Sequence, residues 1–396
     1  MKNSGIEWIG EIPDSWEYFR LKDYYIFEKG KNAAIYTQDY IGLHKGIYPV
    51  YSGQTENNGV MGCIDTFDYD LEECLFTTTV GAKVMTPKIL RGKFSLSQNC
   101  LIMKKTKECN NSYIYYYLFP LFSYAKSLIP TYMQPSLRVA DLNLYGFYVP
   151  NCETQYKIAK CLNEKCGKID ELIANQQGQI EKLKEYKQSV ITEAVTKGLN
   201  KSAPLKDSGN DYIGNIPKHW ESIKIKYICS MQAGKNLISE QISPMGDYPV
   251  YGGNGLRGYF GEYNYEGVCL LVGRQGALCG NVHHVEGKFW ATEHAVITKP
   301  KTGVYLRYLF YLLIGANLNL YVSPTAAQPG LSVNSVQNII LCKAPIKEQQ
   351  QIVDYLDEKC GKIDRLIAIK QEKIEKLQEY KKSLIYEYVT GKKEVC

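Results

Sequence analysis

Two stretches of the chain carry apolar residues at alternating intervals of three and four. They are Ile169, Ile173, Ile180, Leu183 and Val190, then Ile363, Ile367, Ile374, Leu377 and Leu384. This spacing predicts two helices, each with one heptad-like apolar seam interrupted at Gln176, Lys187, Lys370 and Lys381. No proline falls between Thr154 and Gly198, so the first helix runs for some 44 residues, about 65 Å. A single stripe on such a rod must be covered, and the other copy supplies the cover. If a pseudo-two-fold axis relates the copies, the rods run antiparallel, with a domain at each end in a dumbbell. Gly167 and Gly361 take the same place in both rods and predict a kink or a close approach.

Ahead of each helix lies a different pattern: short runs rich in Tyr, Val and Ile, broken by Gly, Pro and Asn. Strands are predicted at Cys74–Thr79, Leu101–Lys104, Val268–Val272 and Ala295–Thr298. Continuous aromatic and leucine runs at Tyr113–Phe119 and Tyr305–Ile314 predict short buried helices. Ile47-Tyr48-Pro49-Val50-Tyr51 is echoed by Asp247-Tyr248-Pro249-Val250-Tyr251. The opening motif Ser4–Glu17 returns as Ser208–Glu221, and Glu164-Lys165-Cys166-Gly167-Lys168-Ile169-Asp170 returns as Glu358-Lys359-Cys360-Gly361-Lys362-Ile363-Asp364. Two copies of this size are a tandem of domains, not a solenoid. The expected fold class is α+β, with two mixed, mainly β domains separated by two long antiparallel coiled-coil helices in a pseudo-two-fold internal repeat. The expected boundaries are 1–153 and 201–347 for the β-rich domains, 154–200 and 348–396 for the helices.

A length of 396 residues and an apolar fraction of 45% suit two cores plus connecting elements. With no long apolar run and no secretory h-region at the start, cytoplasmic residence is expected. The 13 cysteines form no C-x-x-C pair and read as packing residues in a reducing compartment. His283, His284 and His294 form the one local histidine cluster. Without carboxylates at a suitable spacing they read as polar loop residues, and no metal site is expected. A net charge of +6 is modest, but Val80–Lys107 holds Lys83, Lys88, Arg91, Lys93, Lys104, Lys105 and Lys107 and no acid. Such a block suits a polyanion, and equally a solvated strand-and-loop face.

No catalytic signature is found. Each Gly-Lys pair, such as Gly30-Lys31 and Gly234-Lys235, lacks the Ser or Thr of a phosphate-binding loop. Neither the Asn/Asp-Pro-Pro-aromatic turn of amino-methyltransferases nor a dinucleotide loop is present. Glu185-Tyr186-Lys187 and Glu379-Tyr380-Lys381 have a nuclease-like spacing, but they lie on the long helices, where i and i+2 point apart. A non-catalytic chain is expected. Reading duplex DNA instead needs phosphate anchors together with amide or guanidinium groups for base edges. The first half offers Gln54, Asn57 and Asn58, then Lys83, Lys88, Arg91 and Lys93, then Gln134 and Arg138. The second offers Asn254, Arg257, Arg274, Gln275 and Gln328, where glycines flanking Arg274-Gln275 permit a projecting turn. Routine polar tips of a β domain are the competing reading, and most of the 33 tyrosines fit the core.

The paired motifs Trp8-Ile9-Gly10-Glu11-Ile12-Pro13-Asp14-Ser15-Trp16 and Tyr212-Ile213-Gly214-Asn215-Ile216-Pro217-Lys218-His219-Trp220 resemble the specificity (S) subunit of bacterial type I restriction–modification enzymes. So does Pro345-Ile346-Lys347-Glu348-Gln349-Gln350-Gln351-Ile352 leading into Asp357–Asp364, with Pro150–Ile158 a looser counterpart in which Thr154 intervenes. The resemblance spans essentially the whole chain. It implies a DNA-recognition subunit with two target recognition domains, each reading half of a bipartite asymmetric site, while the helices set the spacer. It further implies two modification (methyltransferase) subunits that bind S-adenosylmethionine and methylate adenine. Restriction subunits using ATP and magnesium would complete the assembly, with no cofactor on this chain. The alternative from another class is a coiled-coil scaffold that binds proteins and reads no DNA.

Overall fold

The computed structural model describes residues 1–53, 56–81, 83–275, 279–321 and 330–395. The chain forms two compact units: Met1–Gln176 with Glu372–Cys396, and Gln177–Gln371. Each holds one β-rich domain and parts of both long helices, Cys152–Lys197 and Ile346–Val389. Among the described residues, no helix is long and apolar enough to cross a membrane.

The two domains share one sheet topology. In the first unit the strand order is Tyr25–Lys29, Cys100–Lys105, Tyr69–Thr78, Pro87–Leu96, Lys45–Tyr51, Val60–Ile64. In the second it is Cys229–Ala233, Ala295–Pro300, Tyr265–Gly273, Val282–Ala291, Tyr248–Gly252, Gly255–Phe260. The Tyr-Pro-Val-Tyr segments fill the same strand, the one that pairs parallel in each sheet, Val50 opposite Ser95 and Val250 opposite Trp290. Both sheet faces are covered. Leu75 packs into the core beneath the helix Asn111–Ser127, while Cys74 and Phe76 enter a separate cluster with Phe94 and Ile102. Leu270 and Cys269 divide in the same way in the second sheet. Burial on both faces explains why these strands read as unbroken apolar runs instead of alternating ones.

The helix expected over Tyr113–Phe119 runs on to Ser127 through Pro120. Buried Leu121 and Phe122 beyond the proline anchor the continuation. The expectation for Gly167 and Gly361 is not met: both helices pass through them unbroken, and a Cβ at either would meet nothing within 4 Å.

Within each unit the start of one long helix packs on the end of the other, so the pair is antiparallel. Ile158, Leu162, Cys166 and Ile169 share a core with Leu384, Ile385, Tyr388 and Val389. Val190, Ile191, Ala194 and Val195 share another with Ile352, Val353, Leu356 and Cys360. Of the seam residues, Ile169, Ile180, Val190, Ile363, Ile374 and Leu384 are buried, and Ile173, Leu183, Ile367 and Leu377 are half-buried. The polar interruptions find partners: Lys381 meets Asp170 at 2.7 Å, Lys187 meets Asp364 at 2.7 Å, and Lys370 donates to Gln179.

The opening motifs cap the far ends of these helices. Gly198 and Gly391, both at φ +72, close the two helices. Trp220 and Pro217 lie against Gly198, and Trp16 and Pro13 against Gly391. Lys197 donates to the Asn215 carbonyl and Lys392 to that of Glu11. At the other end of each long helix stands a buried glutamine. Gln155 accepts from the Asn110 amide at 3.0 Å and donates to the Pro150 carbonyl at 2.9 Å. Gln349 accepts from the Tyr305 amide at 3.0 Å and donates to the Gly303 and Ala344 carbonyls. Asn110 and Tyr305 are the N-caps of the short helices Asn111–Ser127 and Leu306–Gly315, so each glutamine ties a short helix to a long one. Gln155 thus takes the place of Gln349 despite the intervening Thr154.

Candidate nucleic-acid interface

At one end of each sheet the same backbone frame holds two turns together. In the first domain the Thr79 amide donates to the Asn99 carbonyl at 2.8 Å, the Thr79 carbonyl accepts from Leu137 at 2.8 Å, and Val80 bridges Ser136. In the second, the Arg274 amide donates to the His294 carbonyl at 3.0 Å, the Arg274 carbonyl accepts from Leu331 at 2.8 Å, and Gln275 bridges Gly330. The pairs Thr79/Arg274, Val80/Gln275 and Asn99/His294 are therefore structural equivalents with unlike side chains. Lys88 and His283 form a fourth such pair, since each lies opposite the third residue before its turn, Phe76 and Leu271.

Around this frame in the first domain stand exposed Lys83, Gln134 and Arg138, and an open cleft of about 400 Å³ lined by Met85, Met133, Gln134, Ser136 and Arg138. Asn57 and Asn58 occupy left-handed backbone at φ 48 and 56, a conformation Asn tolerates better than most residues. Lys88 reaches the Asn58 carbonyl and its side-chain oxygen, the latter at 3.3 Å, and partial burial pulls the Lys88 pKa down. Arg91 and Lys93 do not join this group. They lie three and five residues further along the strand, about 10 and 17 Å away. There Arg91 pairs with Glu73, and Lys93 lies over Phe67 with 4.7 Å to the ring centre. Lys104 pairs with Glu28. The basic block of the sequence is thus divided among strands, and only part of it faces the loops.

In the second domain Asn254 accepts from Asn281 at 3.4 Å, and a Cβ at neighbouring Gly253 would stand 3.1 Å from the His294 carbonyl and 3.4 Å from that of Gln275. Asn254, Arg274 and Gln275 therefore converge. Arg274 is half-buried and held by backbone bonds at the strand end, and Gln275 is exposed. Arg257 donates to Ser239 at 3.2 Å. Gln54 and Gln328 lie outside the described residues.

The histidines are not loop residues as a group. His283 and His284 belong to the strand Val282–Ala291, and His294 sits 3.1 Å from the Glu293 carboxylate. Desolvation lowers the His283 pKa, which favours the neutral ring. His283 Nε2, His294 Nδ1 and Glu293 Oε2 are buried without hydrogen-bond partners among the described residues. The sequence reading of these histidines as polar loop residues missed the strand placement of His283 and His284 and the part Glu293 takes beside them. The signal that could have found it is register: His283 stands where the first domain has Lys88. Among the described residues no cluster of His, Cys, Asp and Glu suits a metal ion.

The class this geometry defines is a duplicated protein with one scaffold and two differently furnished tips. A family model described as "Type I restriction modification DNA specificity domain" matches residues 13–185 and again 217–379. The Escherichia coli type I restriction enzyme EcoprrI specificity subunit is 42% identical over 135 residues, a third of each chain. The MjaVIII specificity subunit of Methanocaldococcus jannaschii is 24% identical over 422 aligned residues, covering 96% of this chain and 93% of that one. A chain from a solved structure concerned with complex assembly and conformational transition of the type I R-M system aligns with TM-score 0.65 and 13% identity. It covers 96% of this chain and 98% of its own, and shares the fold. The chain belongs to the type I restriction–modification DNA specificity family, whose part in the complex is recognition of a DNA sequence.

Proposed function

We propose that the two domains read different half-sites of one bipartite DNA target, each through the turns gathered at its frame. The observation that carries this reading is the set of equivalent positions Thr79/Arg274, Val80/Gln275, Lys88/His283 and Asn99/His294, where identical hydrogen bonds hold unlike side chains. Lysines and arginines near the frame neutralise phosphates and give salt-dependent, sequence-blind affinity. Arg274, Gln275 and Asn254 in one domain, and Asn57, Asn58, Gln134 and Arg138 in the other, select bases. A good bidentate pair discriminates by about 1–3 kcal/mol.

Two modification subunits carrying S-adenosylmethionine would supply the methyl transfer, and restriction subunits the ATP- and magnesium-dependent steps. This chain supplies position. The continuous helices of 46 and 44 residues set the spacer. Removing seven residues from each shortens it by about 10 Å, some three base pairs of duplex.

Mapping methylated adenines in cells that carry this chain with its partners tests the reading. Arg274→Ala should relax bases in one half-site and leave the other half-site and the spacer as they were. An unchanged methylation pattern would remove Arg274 from the reading, and a pattern indifferent to substitutions in both frames would favour a scaffold that reads no DNA.

A further inference from the structure

One loop beside the first domain's frame carries an apolar tip that no core covers. The segment leaves the helix Asn111–Ser127 and turns at Pro130–Met133, where the Met133 amide donates to the Pro130 carbonyl at 2.9 Å. It returns to the frame at Ser136 and Leu137. Tyr132 sits in that turn at 87% exposure, with Met133 beside it at 53%. Among the described residues the Tyr132 hydroxyl has no hydrogen-bond partner and its ring no aromatic or cationic neighbour. Pro130 and Pro135 fix φ on either side, so little conformational freedom is left to lose when the tip is held.

The second repeat keeps the loop and changes its tip. Pro130-Thr131-Tyr132-Met133-Gln134-Pro135-Ser136-Leu137 returns as Pro324-Thr325-Ala326-Ala327-Gln328-Pro329-Gly330-Leu331. Leu137 and Leu331 close the two segments on the same hydrogen bond, to the Thr79 and Arg274 carbonyls. At the tip, where residues 322–329 lie outside the described residues, the match is one of sequence. One domain therefore carries a ring where its twin carries alanine. Packing does not explain the ring, because so exposed a side chain buries little apolar area. Positive charge stands close by. Burial and the neighbouring Lys83 lower the pKa of Lys126, in the last turn of the helix that leads into the loop. Two like charges held near each other, with no ion pair to either among the described residues, suit an anion. The Asp141 carboxylate is engaged by the Arg138 amide at 2.7 Å.

We infer that Tyr132 is a wedge that enters the base stack of the half-site read by the first domain, and that the second domain reads its half-site without one. This rests on the proposed function and deepens it. Gln134 and Arg138 stand on the same loop and face that half-site, and the wedge makes its deformability part of what is read. A flat ring stacks on a base, and apolar side chains placed between base steps unstack and kink a duplex. The cost of opening a step depends on its sequence and is least at flexible pyrimidine–purine steps. Lys83 and Lys126 hold the phosphates that flank the opened step.

The test uses the full chain, assembled with its modification subunits, on duplexes that carry the mapped target. The half-site that Arg274→Ala leaves unchanged belongs to the first domain. A fluorescent purine analogue that brightens when unstacked replaces each purine in turn, the methylated adenines excepted. One step of the first half-site should brighten on binding, and none in the second. Tyr132→Ala should abolish that rise and weaken binding about tenfold, whereas Tyr132→Phe, which keeps the ring, should retain both. At so exposed a position neither substitution threatens the fold, and unchanged urea midpoints check this. A rise that survives Tyr132→Ala, or no rise at all with binding intact, would overturn the wedge and leave the proposed function standing. A loss in Tyr132→Phe equal to that in Tyr132→Ala would assign the residue to a hydroxyl contact and overturn the wedge equally. A complex with no preference for the mapped target over other duplexes would strike the proposed function itself, and the wedge with it.

Discussion

Replacing glycine by alanine should have opposite effects within the helix Ile346–Val389 and at the turn that closes it, and the structure gives the sizes. At Gly391 the backbone is left-handed, and an added Cβ would stand 2.4 Å from Pro13 Cδ and 3.0 Å from Trp16. The left-handed conformation costs alanine about 1–2 kcal/mol, and forcing ring atoms aside in a packed site costs about 1–3 kcal/mol more. Gly391→Ala should therefore destabilise by about 2–5 kcal/mol. Gly198 shares the backbone conformation, but its nearest neighbour, Trp220 Cζ2, is 3.1 Å away. Most of the packing cost is absent there, leaving about 1–2 kcal/mol. Gly361 lies mid-helix with nothing within 4 Å, so Gly361→Ala should stabilise by about 0.5–1 kcal/mol through better helix propensity. Urea unfolding followed by tryptophan fluorescence reads both ends, since Trp16 and Trp220 abut the two capping glycines. Two units can unfold separately, so the comparison is the order of midpoints. The expected order is Gly361→Ala above the unaltered chain, then Gly198→Ala, then Gly391→Ala. If Gly391→Ala matched the unaltered chain, the opening motif would not clamp the helix end.

Gln349→Leu should destabilise the second unit by about 3 kcal/mol or more, because the Tyr305 amide and two carbonyls lose their partner in a buried site; Gln155→Leu should do the same in the first, read as lower urea midpoints. Burial pushes the thiols of Cys74, Cys100, Cys229 and Cys342 up to about 12 from an ordinary value of 9.0. Their contribution is intact below pH 9 and is lost as pH rises toward 12, since only the unfolded thiols ionise there. Each thiol should cost about 1 kcal/mol by pH 10, so the midpoint should hold between pH 7 and 8.5 and fall above 9. Asp364→Asn breaks only the half-exposed pair with Lys187 and should change stability by less than about 1 kcal/mol; a larger loss in thermal unfolding would mean the pair fixes helix register.

What could be read in the sequence was whatever repeats locally. The seam was legible because three-and-four spacing survives in both copies, and ten of ten seam positions are buried or half-buried. The buried strands were legible as apolar runs. The purpose of the opening motif was not, because Trp16 meets Gly391 from the opposite end of the chain and no local pattern carries that pairing. Gly167 and Gly361 misled, since glycine inside a helix signals packing only when something packs there. The basic block misled by proximity in sequence: alternation along a strand and the intervening strand Tyr69–Thr78 separate residues that the sequence sets side by side. His283 reads as a polar loop residue in the sequence because its meaning lies in register with Lys88, which appears only once both sheets are matched by their hydrogen bonds.

The division between frame and tip has a physical basis in which atoms make the bonds. At Thr79 and Arg274 the hydrogen bonds that set the turn among the described residues run through the main chain, which leaves the identity of the side chain open. A threonine and an arginine can then occupy the same place at no cost to the fold. The helix ends behave oppositely. Gly198, Gly391, Trp16, Trp220, Gln155 and Gln349 act through their side chains or through the lack of one, and both repeats keep them. Variation is therefore tolerated where the backbone does the holding and is suppressed where side chains do. A protein that must read two unlike sequences on one scaffold requires that partition, and its tips can change without disturbing the helices that carry them.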